Sequence, residues 1–231
     1  MLHGTAATVV LLRDAPEGLQ VLLLERPRNR GSFAGAWVFP GGVVDPGDYA
    51  RPVPGEEPAP STADDGGEPA AVRRAAVRET AEETGLSLPE TSLVQLSCWE
   101  PPPEAPRRYR TWFFLAEAPA GDILLSPEEH MDAVWVTPAE AFRRQQEGTM
   151  ELFPPTWVSL HGLAGAHSVA DALAAAEAAE PLTYTTRQLP GQVPPVMVWH
   201  GDAEYPEVPG EPESRHRLIM NPRGWLYERT P

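Results

Sequence analysis

The chain has 231 residues, of which 42% are hydrophobic, and its net charge is −15. This length and apolar content suffice for one buried core, and the negative charge argues against a nucleic-acid partner, because such binders recruit basic surface. All eighteen cationic side chains are arginine, which excludes Schiff-base catalysis by lysine and a Walker-type phosphate loop.

Periodicity and turn residues place the elements. The first half of the chain is predicted to contain strands at residues 7–12, 19–25 and 37–39, a helix at 69–84, and strands at 92–99 and 109–116. A strand at 133–136, a helix that begins at 137, helices at 156–163 and 168–179, and strands at 196–199 and within 215–227 follow. Pro69 suits the first position of the first helix, and Gly85 suits the left-handed residue past its end. Thr137, Pro138 and Glu140 together are typical of a helix start. Mixed strands and helices in this order favour the α/β fold class.

Three carboxylates, those of Glu79, Glu82 and Glu83, lie near the end of the first helix. At about 100° per residue, Glu83 is about 40° from Glu79 and Glu82 about 60° the other way, so the side chains converge within one turn. They repel one another at the negative end of the helix dipole, and a divalent cation with oxygen ligands would offset that cost. The alternative is a solvated helix with salt bridges, for which the motif offers only Arg78 with Glu82 in the weaker order.

The segment resembles the signature of the Nudix hydrolases, G-x5-E-x7-R-E-U-x-E-E-x-G-U, in which U is a bulky apolar residue. Its second half is matched by Arg78, Glu79, Glu82, Glu83, Gly85 and Leu86. Thr80 stands where the pattern has an aliphatic residue. In the first half, Gly42 and Asp48 fit G-x5-E with Asp in place of Glu, and we expect Asp48 still to reach Arg78. A proline-rich and glycine-rich run, residues 49–70, splits the two halves.

The resemblance implies a Nudix-type α/β/α sandwich with a mixed β-sheet. We expect one Nudix hydrolase domain over residues 1–231, with 49–70 as an insertion in the signature. Residues 181–231 form a C-terminal extension that either packs on the domain or lies at a dimer interface. Family precedent makes a homodimer an expectation.

The resemblance also implies hydrolysis of a diphosphate linkage with Mg²⁺ or Mn²⁺ as cofactor. Glu79, Glu82 and Glu83 are the expected metal ligands, with the backbone carbonyl near Gly42 as a further oxygen. The expected catalytic residues are Arg78, Glu82, Glu83 and Glu129. Either of the adjacent acids Glu128 and Glu129 could supply the base or a further ligand, or both could be surface acids in a turn. His130 ranks below them, because a metal-bound water needs no histidine.

The substrate is a small nucleotide-type diphosphate in this interpretation. Arg26, Arg28 and Arg30 could hold extra phosphates, such as the 3′-phosphate of coenzyme A, or could merely solvate a loop. Gly41 completes the expected substrate-binding residues, since residues 39–42 with Arg26 partly match the leader of coenzyme A diphosphatases.

Three functional classes stay open. The first is a diphosphatase, with coenzyme A or acyl-coenzyme A slightly ahead of ADP-ribose and dinucleotides. The second is a pyrophosphatase that removes nucleoside triphosphates. The third is a catalytically silent binding module, against which the intact Glu79, Glu82 and Glu83 argue.

The cellular setting is expected to be the cytoplasm. No apolar run approaches the ~20 residues that span a bilayer, and residues 1–8 lack the basic start of a signal peptide. The single cysteine, Cys98, cannot form an internal disulfide, which fits a reducing compartment. We therefore expect no membrane partner.

Overall fold

The computed structural model describes residues 1–27, 34–49, 70–126 and 130–230. Four residues named above, Arg28, Arg30, Glu128 and Glu129, lie outside these ranges, as do residues 50–69 of the insertion. In the part of the chain that is described, every helix is too short or too polar to span a bilayer.

The elements follow the predicted order closely. The strands are β1 Gly4–Ala15, β2 Gly18–Glu25, β3 Trp37–Val38, β4 Gly41–Val43, β5 Val94–Glu100, β6 Tyr109–Glu117, β7 Asp132–Val136, β8 Leu182–Thr185, β9 Arg187–Gln188, β10 Val196–Val198, β11 His216–Ile219 and β12 Leu226–Arg229. The helices are α1 Pro46–Tyr49, α2 Ala70–Thr84, α3 Pro138–Gln146, α4 Pro154–Leu163 and α5 Val169–Ala178, with one 3₁₀ turn at Glu90–Ser92.

Eight of the described strands form one mixed sheet. Its order is β3-β2-β1-β6-β5-β8, while β4 pairs with β1 and β7 pairs with β2. The β1–β6 and β5–β8 pairs are parallel and the others are antiparallel. The mixed sheet predicted from the sequence is therefore confirmed.

Helices cover both faces of this sheet. Successive side chains of a strand point to opposite faces, so β1 supplies both sides. Val9 and Leu11 pack in one core with α2, whereas Val10 and Leu12 pack in a second core with α3, α4 and α5. This is the α/β/α sandwich that the resemblance implies.

Capping residues fix the starts of two helices. The side chain of Thr137 accepts a hydrogen bond from the backbone N–H of Glu140 at 3.2 Å, with Pro138 as the first residue of α3. Ser168 accepts one from the N–H of Asp171 in the same way at the start of α5. Both pairs satisfy donors that a helix start otherwise leaves unpaired.

The sequence did not predict α1, β4, β8 or β9. Strand β8 extends the main sheet beside β5, and β9 to β12 form a separate antiparallel sheet. An aromatic cluster joins the two sheets: the ring of Trp99 stacks on Tyr184 at 3.9 Å between centroids, and Trp199 meets Trp99 edge-on at 5.7 Å. Residues 182–229 therefore pack on the main sheet, and a dimer interface stays a prediction.

Candidate active site

Helix α2 carries the acids of the signature to the edge of the sheet. It ends at Thr84, and Gly85 follows with φ of 75°, the left-handed conformation that glycine adopts most readily. Thr80 is fully buried, and its hydroxyl donates to the carbonyl oxygen of Ala76 at 2.7 Å. The departure from an aliphatic residue is tolerated because that hydroxyl is satisfied within the helix.

Arg78 connects the two halves of the split signature. Its Nε and Nη2 donate to the two carboxylate oxygens of Asp48 at 3.1 and 2.9 Å. The short helix α1 brings Asp48 close enough, and Arg74 donates to the carbonyl of Asp48 at 2.5 Å. The expectation that an aspartate still reaches Arg78 is confirmed.

The pKa values of this pair reflect the contact. Burial raises the pKa of Asp48, but hydrogen bonds from Arg78 and from the N–H of Asp45, together with the charge of Arg78, outweigh it and hold the pKa below its usual value. The hydrogen bond to Asp48 likewise raises the pKa of Arg78. Both groups are therefore charged at neutral pH.

The free edge of the same guanidinium holds two of the three glutamates. Nη1 of Arg78 donates to Glu79 at 2.8 Å and to Glu82 at 3.1 Å. The side chain of Glu79 is mostly buried, whereas that of Glu82 is 58% exposed. Two carboxylates thus already share one cationic partner.

Glu83 turns towards the sheet instead. Only 4% of the residue is exposed, and its Oε2 accepts a hydrogen bond from the backbone N–H of Gly41 at 2.8 Å. Its Oε1 lies 3.6 Å from Nε2 of His130. Glu79 and Glu82 therefore converge on Arg78, whereas Glu83 contacts Gly41 and His130, and the convergence of all three acids stays a prediction.

Two glycines let the backbone come this close. A Cβ at Gly42 would overlap the carboxylate of Glu79, and one at Gly41 would overlap the carbonyl of Ala7 and the hydroxyl of Thr8. Only glycine leaves room at these positions, so the close approach of β4 to the acids is specified by sequence.

These residues fit a hard divalent cation by the chemistry of their donors, although they are not preassembled around one. Within the described ranges, no three His, Cys, Asp or Glu side chains stand together in a way that could hold a metal ion. The groups that meet here are carboxylate oxygens and the backbone of Gly42, which are the donors that Mg²⁺ and Mn²⁺ prefer. Arg78 lies between Glu79 and Glu82, so a cation shared by all three acids needs a rearrangement of that contact.

His130, which the sequence ranks below Glu128 and Glu129, lies beside Glu83. It is 3% exposed, and burial, followed by the charge of Arg26, lowers its pKa to about 4. The imidazole is therefore neutral at pH 7, and its contact with Glu83 is not an ion pair. Arg26, one of the predicted substrate-binding arginines, is thus close enough for its charge to act on this ring.

A cavity of about 730 Å³ opens on the other side of Arg78. Its lining is polar at one end, with Asp45, Asp48, Arg74, Arg78 and Glu90. This space lies against the anchor of Arg78 and not against Glu83, so we assign it no substrate group.

Comparison with known proteins identifies the family. A family model with the description NUDIX domain matches residues 2–155. The chain is similar to a Nudix hydrolase from Alicyclobacillus acidocaldarius, with 25% identity over 75% of this chain and 97% of that one and a TM-score of 0.61.

Two more distant structures are also similar to the chain. A MutT Nudix hydrolase from Burkholderia pseudomallei is 22% identical over 68% of this chain and 95% of that one, with a TM-score of 0.48. The NUDIX domain of Shewanella oneidensis NrtR, solved with ADP ribose, is 18% identical over 70% and 86%, also at 0.48. We draw no functional argument from these two. The split signature, the sandwich and the family match over residues 2–155 together show that the chain belongs to the Nudix family and is a hydrolase of pyrophosphate bonds.

Proposed function

We propose that the chain hydrolyses the diphosphate linkage of a nucleoside diphosphate joined to another moiety, with Mg²⁺ or Mn²⁺ as cofactor. One observation carries this proposal: the carboxylates of Glu79 and Glu82 share one nitrogen of Arg78 while Glu79 packs directly against Gly42. These acids supply the oxygen donors that a divalent cation prefers, and a cation bound to all three would replace Arg78 as the partner of Glu79 and Glu82.

Glu79, Glu82, Glu83 and the carbonyl of Gly42 would hold the cation. When bound there, a divalent ion neutralises diphosphate oxygens and lowers the pKa of a water molecule. The protein's own part is orientation: Asp48 anchors Arg78, which in turn directs the acids at positions 79 and 82.

The second point of orientation lies at Glu83, whose carboxylate is fixed by the N–H of Gly41. Glu129 remains our proposed general base, on the resemblance alone. Family members often take a further carboxylate, as base or ligand, from a loop after the central strands, and Glu129 comes shortly before the strand that contains Trp135 in the sequence.

Coenzyme A or acyl-coenzyme A is the substrate class we favour. The support is the leader ending in Gly41 and the arginines at 26, 28 and 30, which suit an additional phosphate. ADP-ribose or a dinucleotide is the alternative within the same reaction. We also propose that the enzyme is cytoplasmic, in line with its single cysteine, and that it has no membrane or nucleic-acid partner, in line with its acidic charge. Family precedent supports a homodimer.

Product analysis tests this proposal. The purified chain is incubated with Mg²⁺ and, separately, coenzyme A, acyl-coenzyme A, ADP-ribose, NADH and nucleoside triphosphates. We expect cleavage of the diphosphate conjugates, fastest for the coenzyme A compounds. Release of pyrophosphate from triphosphates, with no action on the conjugates, would select the triphosphate pyrophosphatase instead.

The variant Glu83→Gln tests the assigned site. We expect it to lose most Mg²⁺-dependent turnover yet fold normally, because the amide oxygen of glutamine can still accept the hydrogen bond from Gly41. Glu147→Gln, at the exposed residue that follows α3, is the matched control and should retain wild-type turnover. Wild-type rates in Glu83→Gln would remove that residue from the site.

A further inference from the structure

His130 is a buried polar side chain that no role assigned so far explains. Its side chain is 1% exposed, and among the described residues neither ring nitrogen has a hydrogen-bond partner. A polar group buried without a partner costs about 1–3 kcal/mol, which an apolar side chain at this position would avoid. A buried group left in this state calls for an explanation in function.

Backbone hydrogen bonds on both sides fix where the imidazole lies. The N–H of Ser126 donates to the carbonyl of Glu83 at 3.3 Å, and the N–H of His130 donates to the carbonyl of Ser126 at 3.0 Å. The N–H of Met131 donates to the carbonyl of Glu25, the last residue of β2, at 2.8 Å. The ring is thus tied to the ends of α2 and β2, the two elements that border the site.

The two oxygens of the Glu83 carboxylate meet different partners. Gly41 holds Oε2 through its N–H, and Nε2 of His130 faces Oε1 at 3.6 Å. That separation is longer than a hydrogen bond, and a shift of about half an ångström would close it. His130 is therefore placed to set the rotation of the carboxylate about its last bond.

We propose that His130 is a positioning residue that donates Nε2–H to Oε1 of Glu83 and so holds this carboxylate in the orientation that binds a divalent cation. The inference rests on the proposed function, since it takes Glu83 as a ligand of the cation. Groups that orient a metal ligand by a hydrogen bond typically change metal affinity by about 10–100-fold when they are removed. A histidine that only filled the core would instead matter for stability alone.

Two variants separate these roles. His130→Leu removes the donor at similar volume, whereas His130→Gln keeps an N–H₂ near the position of Nε2. Binding of Mn²⁺ to the full chain without substrate is measured by electron paramagnetic resonance, and thermal unfolding is measured without metal. Glu82→Gln is included to show that the Mn²⁺ site is the one at the glutamates.

We expect His130→Leu to weaken Mn²⁺ binding by about 10-fold or more, and His130→Gln to recover most of the affinity. The metal-free melting temperature of His130→Leu should equal or exceed that of the wild type, because the unpaired polar group is gone. Wild-type Mn²⁺ affinity in His130→Leu would overturn the proposal, as would equal losses of affinity and of melting temperature in both variants. If the wild type bound no Mn²⁺, or if Glu82→Gln left Mn²⁺ binding unchanged, the result would contradict the proposed function itself and not only the role of His130.

Discussion

Asp48→Asn tests the ion pair on which the arrangement of the acids depends. Asp48 accepts two hydrogen bonds from Arg78 and one from the N–H of Asp45, and its side chain is 7% exposed. An asparagine turns an N–H₂ group towards a guanidinium that can only donate. Removal of one partner of a buried ion pair costs about 3–5 kcal/mol.

The exposure of Arg78 sets the magnitude within that range. Its side chain is 27% exposed, so water can partly solvate the charge that is left, and we expect a loss of about 3 kcal/mol in the free energy of unfolding at pH 7. For a chain of this size, that corresponds to a fall of about 6–12 °C in melting temperature.

The lowered pKa of Asp48 also fixes how the stability difference changes with pH. The folded-state pKa of Asp48 is below its usual value, so its stabilising contribution is present above the unfolded-state pKa of about 3.9 and is lost as pH falls through the folded-state value. The difference in unfolding free energy between wild type and Asp48→Asn should therefore be constant from about pH 5 to 8 and shrink below about pH 4.

Urea unfolding at a series of pH values measures both quantities. Asp45→Asn is the matched control, because its carboxylate is 64% exposed and 3.9 Å from Arg78, and it should change stability by less than about 0.5 kcal/mol. Equal stabilities of the two variants at pH 7, or a difference that persists unchanged below pH 3, would refute the reasoning.

Two further substitutions test packing within the signature. Gly42→Ala should lower turnover at least tenfold without unfolding the chain, because its Cβ would displace the Glu79 carboxylate. Gly47→Ala is the control, since its Cβ meets open space, and it should keep wild-type turnover. Equal rates in the two variants would show that the close approach is not needed. Thr80→Val restores the aliphatic residue of the family pattern. It should leave the free energy of unfolding unchanged or raise it by up to about 1 kcal/mol, since the hydroxyl donates only to a helix carbonyl. A loss of more than about 1 kcal/mol in urea unfolding would contradict this.

Local chemistry made the catalytic helix predictable. The end of α2 follows from Gly85, and the start of α3 follows from Thr137, because such capping signals act within a few residues of the chain. Such features need no knowledge of distant contacts.

The parts that sequence reasoning missed depend on contacts between distant residues. Strand β8 is a parallel edge strand whose only cue is its pairing with β5, far away in the chain. Helix geometry alone could not show that Glu83 turns to Gly41, because the partner belongs to another strand. His130 ranked low as a base, and its burial beside Glu83 emerges only once the loop is folded onto α2.

The central claim is that the acids of α2 hold a divalent cation. A crystal grown with Mn²⁺ and a non-hydrolysable diphosphate substrate analogue, with data collected at the manganese absorption edge, tests it most directly. The account predicts an anomalous peak bound by oxygens of Glu79, Glu82 and Glu83 beside Gly42, with Arg78 still on Asp48. Glu79 and Glu82 still paired with Arg78, and no manganese peak among the three acids, would contradict it.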